Sequence, residues 1–131
     1  MQSVTSNAVA VALNSLEEGY STLIANDAIP TSAYGTLLIG NDRKLSDYDF
    51  IDFYVGLYEN NIYYPRGFAR VPSFMYNSTS GKIFRVDIPL TGSNNENVSF
   101  RYNNDTSVDC RAFNTSTTFY ARILGEKIFN N

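Results

Sequence analysis

The chain has 131 residues, of which 44% are hydrophobic and 18% charged, with 10 Lys and Arg against 13 Asp and Glu. This length fits one domain, and the composition excludes a disordered charged tail. The net charge of −3 is not the basic balance of a nucleic-acid-binding protein, and no apolar run is long enough to span a bilayer. We therefore expect no nucleic-acid partner and no membrane insertion.

The first predicted element is a helix from residue 6 to about residue 18. Its apolar residues follow heptad spacing at Val9, Leu13, Leu16, Tyr20 and Leu23. A single helix this short is marginal in water. Two interpretations remain open: the helix packs on its own domain, or several copies associate as a neck in which Val9, Leu13 and Leu16 are the oligomerisation residues. In the second case residues 1–26 form the neck and residues 27–131 the head.

The rest of the chain alternates apolar and polar residues with period two, which is typical of half-buried strands. A linker is expected at 26–32, and an irregular segment at 63–67 because Pro65 cannot donate a ladder hydrogen bond. Strands are predicted near residues 37–39, 51–57, 71–76, 84–90, 98–102, 108–112, 119–123 and 127–129. Such spacing predicts an all-β fold, an antiparallel β-sandwich with a jelly-roll-like arrangement.

The core of this sandwich is predicted from the apolar phase of each strand. Its members are Ile51, Phe53, Val55, Leu57, Phe84, Val86, Ile88, Val98, Phe100, Val108, Cys110, Phe119, Ala121 and Ile123. Substituting one of the large ones should therefore be costly to stability.

The residue types that are missing restrict the chemistry. The chain has no His, so it cannot build a Ser-His-Asp or Cys-His site. Cys110 is the only cysteine, which excludes an intrachain disulfide and favours a packed apolar role. Asp47 and Asp49 could share a calcium ion, but the ligand spacing of an EF-hand is absent. We expect a non-enzymatic protein without metal or cofactor.

Charged residues recur on the polar phase of several strands. They are Arg85, Arg101, Arg111 and Arg122, with Asp52, Asp87 and Asp109 on matching phases. One interpretation is a solvated outer face whose ion pairs add little stability. The other is a polar inter-subunit face or a platform for a polar ligand.

A candidate saccharide site surrounds the turn after the second predicted strand. Tyr58, Asn60, Tyr63 and Arg66 lie close together in sequence. Aromatic faces can stack on a sugar ring, and amide and guanidinium groups can bond its hydroxyls. In the alternative interpretation, half of these tyrosines are buried in the core or in a subunit interface.

Three segments resemble the tip domains of bacteriophage and prophage tail fibres: Val4–Leu13, Leu45–Val55 and Ala121–Ile128. The resemblance implies a homotrimer with a short helical neck and a β-rich head, which attaches to a bacterial surface glycan or protein receptor. It also implies a virion protein made in the host cytoplasm, in agreement with the absence of a recognisable signal peptide. The alternatives are a stand-alone lectin-like or adhesin module and a structural virion spacer without a receptor.

Overall fold

A computed structural model describes residues 20–40, 42–72, 85–92 and 95–128. These residues form eight strands: β1 (Tyr20–Ala28), β2 (Gly35–Leu38), β3 (Phe50–Glu59), β4 (Ile62–Pro72), β5 (Arg85–Pro89), β6 (Asn97–Asn104), β7 (Ser107–Phe113) and β8 (Tyr120–Lys127). A short 3-10 helix, Leu45–Asp47, precedes β3. None of the described segments is a helix with the length and hydrophobicity needed to cross a bilayer.

The strands form two antiparallel four-stranded sheets, and the all-β prediction is confirmed at this level. The β3 sheet has the order β1-β8-β3-β4, and the β6 sheet has the order β2-β7-β6-β5. The order departs from a jelly roll, in which β3 would pair with β6 and β4 with β5. The β1–β8, β3–β8 and β2–β7 pairs follow that scheme, and the rest do not because β3 and β4 close a hairpin while β5, β6 and β7 form a meander.

The two sheets pack face to face around one core. Phe53 of β3 and Phe100 of β6 meet across the sandwich with ring centroids 4.7 Å apart, and both are fully buried. The predicted core is confirmed for Ile51, Phe53, Val55, Ile88, Val98, Phe100, Val108, Cys110, Phe119, Ala121 and Ile123. Leu57 and Val86 are only partly buried against it, and Phe84 lies outside the described residues.

Cys110 occupies the middle of this core. Its thiol is fully buried, and burial raises the pKa of Cys110 to about 12. The group is therefore a neutral thiol at physiological pH, as the packed apolar role requires.

The N-terminal part differs from the expected organisation. The seam residues Val9, Leu13 and Leu16 lie outside the described residues. The predicted boundary between residues 26 and 27 falls inside β1, so residues 20–26 belong to the β3 sheet. The linker expected at 26–32 accordingly begins only after Ala28.

The segment expected to be irregular, 63–67, is instead part of the continuous strand β4. Pro65 is tolerated because β4 lies at the edge of its sheet, where a missing donor breaks no second ladder. The register skips Arg66, since Val55 pairs with Gly67 and Gly56 with Pro65. A β-bulge at Arg66 thus absorbs the irregularity.

Candidate functional site

The outer face of the β3 sheet, which points away from the β6 sheet, carries exposed apolar side chains. Leu23 of β1 is 42% exposed, Tyr58 of β3 39% and Phe68 of β4 50%. They come from three different strands that the sheet places side by side. Grouped apolar side chains on a protein surface are typical of binding sites.

A pocket of about 310 Å³ opens in this outer face, and we call it the Tyr63 pocket. Its volume lies at the lower end of the range for small-molecule sites. The lining residues come from all four strands of the sheet: Leu23, Tyr54, Tyr63, Pro65, Arg122 and Leu124. It is therefore an aromatic and aliphatic pocket with one charged group.

The β3–β4 hairpin fixes the position of Tyr63. Asn60 and Asn61 both have positive φ, at 53° and 65°, as a two-residue type I′ turn requires. This turn sets the register in which Tyr58 stands opposite Tyr63. Their rings stack with centroids 5.2 Å apart and an interplanar angle of 21°.

Two further contacts hold the Tyr63 ring in place. Its hydroxyl donates a hydrogen bond of 2.9 Å to the carbonyl oxygen of Tyr120. Burial raises the pKa of Tyr63 well above its usual value, although the positive charge of Arg122 opposes this. Tyr63 therefore stays a neutral phenol and a rigid wall of the pocket.

Arg122 of β8 provides the charge of the pocket. It stands opposite Tyr54 in the β3–β8 register, and its guanidinium carbon lies 5.0 Å from the Tyr63 ring centroid. Such a cation–π contact holds a guanidinium without neutralising it. The Nε atom of Arg122 is buried and has no hydrogen-bond partner among the described residues.

Of the four residues predicted for a saccharide site, the structure brings two together. Tyr58 and Tyr63 stack on each other, while Asn60 lies in the exposed turn. Arg66 does not join them, because its bulge directs the guanidinium to the carbonyl oxygen of Thr91, which accepts from Nε at 2.7 Å. Arg122 stands beside Tyr63 instead.

Sequence reasoning missed Tyr54, Pro65 and Arg122 as one group. Strand alternation does place Tyr54 and Arg122 on the polar phase of their strands. Their meeting depends on the pairing of β3 with β8, which are distant in sequence, and no local pattern reveals that pairing. Tyr63, which was predicted from the sequence, lies on β4 two residues before Pro65, and both line the same pocket.

A charged cluster flanks the pocket on the same outer face. Asp52 is only 2% exposed and accepts two hydrogen bonds from Arg70, at 2.7 and 2.9 Å. Asp52 is thus buried rather than solvent-facing, because the guanidinium lies over it. Burial, together with the nearby Asp52, raises the pKa of Glu126, and a hydrogen bond from the Ser21 hydroxyl opposes that shift.

Each predicted arginine of the β6 sheet has an oxygen partner within the chain. Arg85 bonds Asp87 at 3.0 Å on β5, and Arg101 lies 3.6 Å from Asp109 across β6 and β7. Arg111 donates to the carbonyl oxygen of Thr31 at 3.2 Å. These pairs fit the interpretation of a solvated outer face. Among the described residues, no three metal-ligating side chains come together.

Comparison of the chain with protein-family models, with curated proteins and with solved structures finds no match. A proposal for the function of this chain therefore rests on the geometry of the Tyr63 pocket and on the three sequence segments.

Proposed function

We propose that this chain is the tip of a bacteriophage tail fibre and attaches, without catalysis, to a saccharide on the bacterial surface. The observation that carries the proposal is the Tyr63 pocket, which combines two tyrosine rings with a guanidinium in a cavity of about 310 Å³. The resemblance of residues 4–13, 45–55 and 121–128 to tail-fibre tips supports the viral context.

The pocket fits the chemistry of a sugar ring. One face of a pyranose is made of C–H groups, which pack on aromatic rings. The ring edge carries hydroxyls, which accept hydrogen bonds from a guanidinium. Tyr54 and Tyr63 supply the rings, and Arg122 supplies the donor.

The pocket is also prepared before a ligand arrives. The stack on Tyr58 and the hydrogen bond to Tyr120 fix the ring of Tyr63. Tyr54 is held against Phe68 of the neighbouring strand, with centroids 4.8 Å apart. Less freedom is lost on binding when the contacting rings are already ordered.

The experiment is binding of the purified full chain to an array of bacterial surface saccharides, comparing wild type with Tyr54→Ala. We expect wild type to retain a subset of saccharides and Tyr54→Ala to weaken them about tenfold through loss of a stacking face. The matched control is Tyr64→Ala, which removes a 46% exposed tyrosine of β4 that does not line the pocket.

Two outcomes contradict the proposal. The first is that no saccharide on the array is retained by the wild-type chain. The second is that Tyr54→Ala and Tyr64→Ala weaken binding equally, since a site at the pocket must distinguish them. Melting curves of both variants show whether each remains folded.

A further inference from the structure

We infer that the saccharide bound in the Tyr63 pocket carries an anionic group, which pairs with the guanidinium of Arg122. This inference rests on the proposed function, because it names the ligand class of the same pocket. It follows from how Arg122 differs from the other arginines of the chain.

Every other arginine has an oxygen partner within the protein. Arg70, Arg85 and Arg101 pair with aspartates. Arg43, Arg66 and Arg111 donate to backbone carbonyl oxygens. Among the described residues, Arg122 alone has a ring contact and no oxygen partner.

The unpaired state of Arg122 has an energetic cost. A buried donor without a partner loses its hydration and gains nothing in return, and the Nε of Arg122 is such a donor. Residues that carry a cost of this kind in a folded protein call for an explanation. An anion that pairs with the Nη atoms would offset part of this cost, because it neutralises the charge that the guanidinium shares with Nε.

The lining of the pocket leaves the charge of Arg122 uncompensated. Its other members are leucine, proline and tyrosine side chains, and none of them is a carboxylate. The nearby Asp52 is already engaged by both arms of the Arg70 guanidinium. An approaching anion therefore meets one positive charge with no carboxylate beside it in the pocket wall.

The guanidinium is also held in position. The Tyr63 ring lies against it at 5.0 Å, and that ring is itself fixed by the Tyr120 carbonyl. Because Nε is covered, an anion reaches the group through its terminal Nη atoms. Two Nη donors match two oxygens of a carboxylate or of a phosphate. The expected ligand is therefore a sugar that carries one of these two oxyanions.

Three ligands with one ring test this inference: glucose, glucuronate and glucose 6-phosphate, which differ only at C6. Binding to the full chain is measured by ligand-observed saturation-transfer NMR at millimolar concentrations, where weak single sites are detected. We expect at least one of the two anions to bind about tenfold more tightly than glucose, as a charge-assisted hydrogen bond provides. Which of the two binds more tightly distinguishes a carboxylate from a phosphate ligand.

The variants assign the effect to Arg122. In Arg122→Gln the preference for the anions over glucose should disappear, and in Arg122→Lys, which keeps the charge, part of it should remain. Arg85→Gln removes the same charge from the β6 sheet, where Arg85 is 54% exposed, and should leave the preference unchanged. Thermal melting confirms that each variant is folded.

The outcomes separate this inference from the proposed function. If glucose binds as tightly as both anions and Arg122→Gln changes nothing, the anionic ligand is wrong while saccharide binding stands. If Arg85→Gln weakens the anions as much as Arg122→Gln does, the effect is one of net charge and the inference is also overturned. If none of the three ligands binds and the saccharide array is empty, both proposals fail.

Discussion

At the scale of single residues, Gly56 makes the pocket possible by having no side chain. It lies on the outer face of β3, opposite Pro65 on one side and Tyr120 on the other. A Cβ atom at this position would clash with the backbone carbonyl oxygen of Tyr64, and would come within 2.5 Å of Cε2 of Tyr63 and 2.8 Å of its Cζ. The Tyr64 carbonyl and the Tyr63 ring therefore occupy the space that any other residue would need.

Gly56→Ala should displace the ring of Tyr63 and lower the free energy of unfolding by about 1–3 kcal/mol, the usual cost of overpacking. Saccharide binding should weaken with it. Urea denaturation measures the first effect and the saccharide array the second. The control is Gly40→Ala, whose Cβ would meet nothing nearer than an oxygen at 3.9 Å. An equal loss of stability in both variants would show that the Tyr63 ring is not the cause.

Glu126 supplies a prediction on pH. Its pKa is raised above the ordinary value of 4.5, first by burial and then by Asp52. A raised pKa means that the folded state favours the protonated carboxyl, so this contribution to stability is present below pH 4.5 and is lost as the pH rises through the folded pKa. Arg70 and the Ser21 hydroxyl oppose the shift without reversing it.

Glu126→Gln, which mimics the protonated form, should be more stable than wild type at neutral pH and equally stable below pH 4.5. Urea denaturation across this pH range measures the difference. Glu59→Gln removes the same charge from the exposed end of β3 and should give no such pH-dependent gain. Lower stability of Glu126→Gln at pH 7 would mean that Arg70 and Ser21 outweigh burial.

At the scale of elements, the alternation of apolar and polar residues correctly predicts which side chains of β3 face the core. β3 buries Ile51, Phe53 and Val55 as predicted, because period two decides which side chains face a core. β1 was not predicted, because Thr22, Ile24 and their neighbours become a strand only by pairing with β8, about a hundred residues later. The expectation of an irregular segment around Pro65 was wrong for a related reason. A proline fits into β4 because this strand lies at the edge of its sheet, which local sequence does not show.

The central position of β3 leads to a prediction on Phe53. This ring is fully buried and lies against Phe100 of the other sheet. Phe53→Ala should lower the free energy of unfolding by about 3–5 kcal/mol, because it leaves a cavity between the sheets. Phe68→Ala, which removes a 50% exposed ring from β4, should cost much less. A loss below about 1 kcal/mol for Phe53→Ala would contradict the burial of this strand.

At the scale of the whole molecule, the β3 sheet has two distinct ends. Tyr20, where the described chain enters, stands opposite Lys127 at one end. The Asn60–Asn61 turn lies at the other, because β3 runs antiparallel to β8 and Gly56 pairs with Tyr120. A neck that precedes Tyr20 would thus present this turn away from the fibre shaft.

The neck remains a prediction, and its test is the mass in solution. If Val9, Leu13 and Leu16 associate as a three-stranded seam, light scattering should give about three times the chain mass of 14.7 kDa. The double variant Leu13→Asp/Leu16→Asp should then be a folded monomer, with the circular dichroism of the β-sheets retained. A monomeric wild-type chain at micromolar concentration would contradict the neck and favour a stand-alone lectin-like module.

The pairing of Tyr20 with Lys127 also determines how the molecule responds to mechanical load. A force that pulls these two positions apart acts at the open end of the β1–β8 ladder and breaks its hydrogen bonds one after another, as in a zipper. A force that enters at Tyr20 and leaves through a ligand on Arg122, which pairs with Asn26, runs along the strands and loads the intervening bonds together in shear. β1 would therefore be weak against being peeled away from β8, and strong against tension between the proposed neck and a ligand held by Arg122.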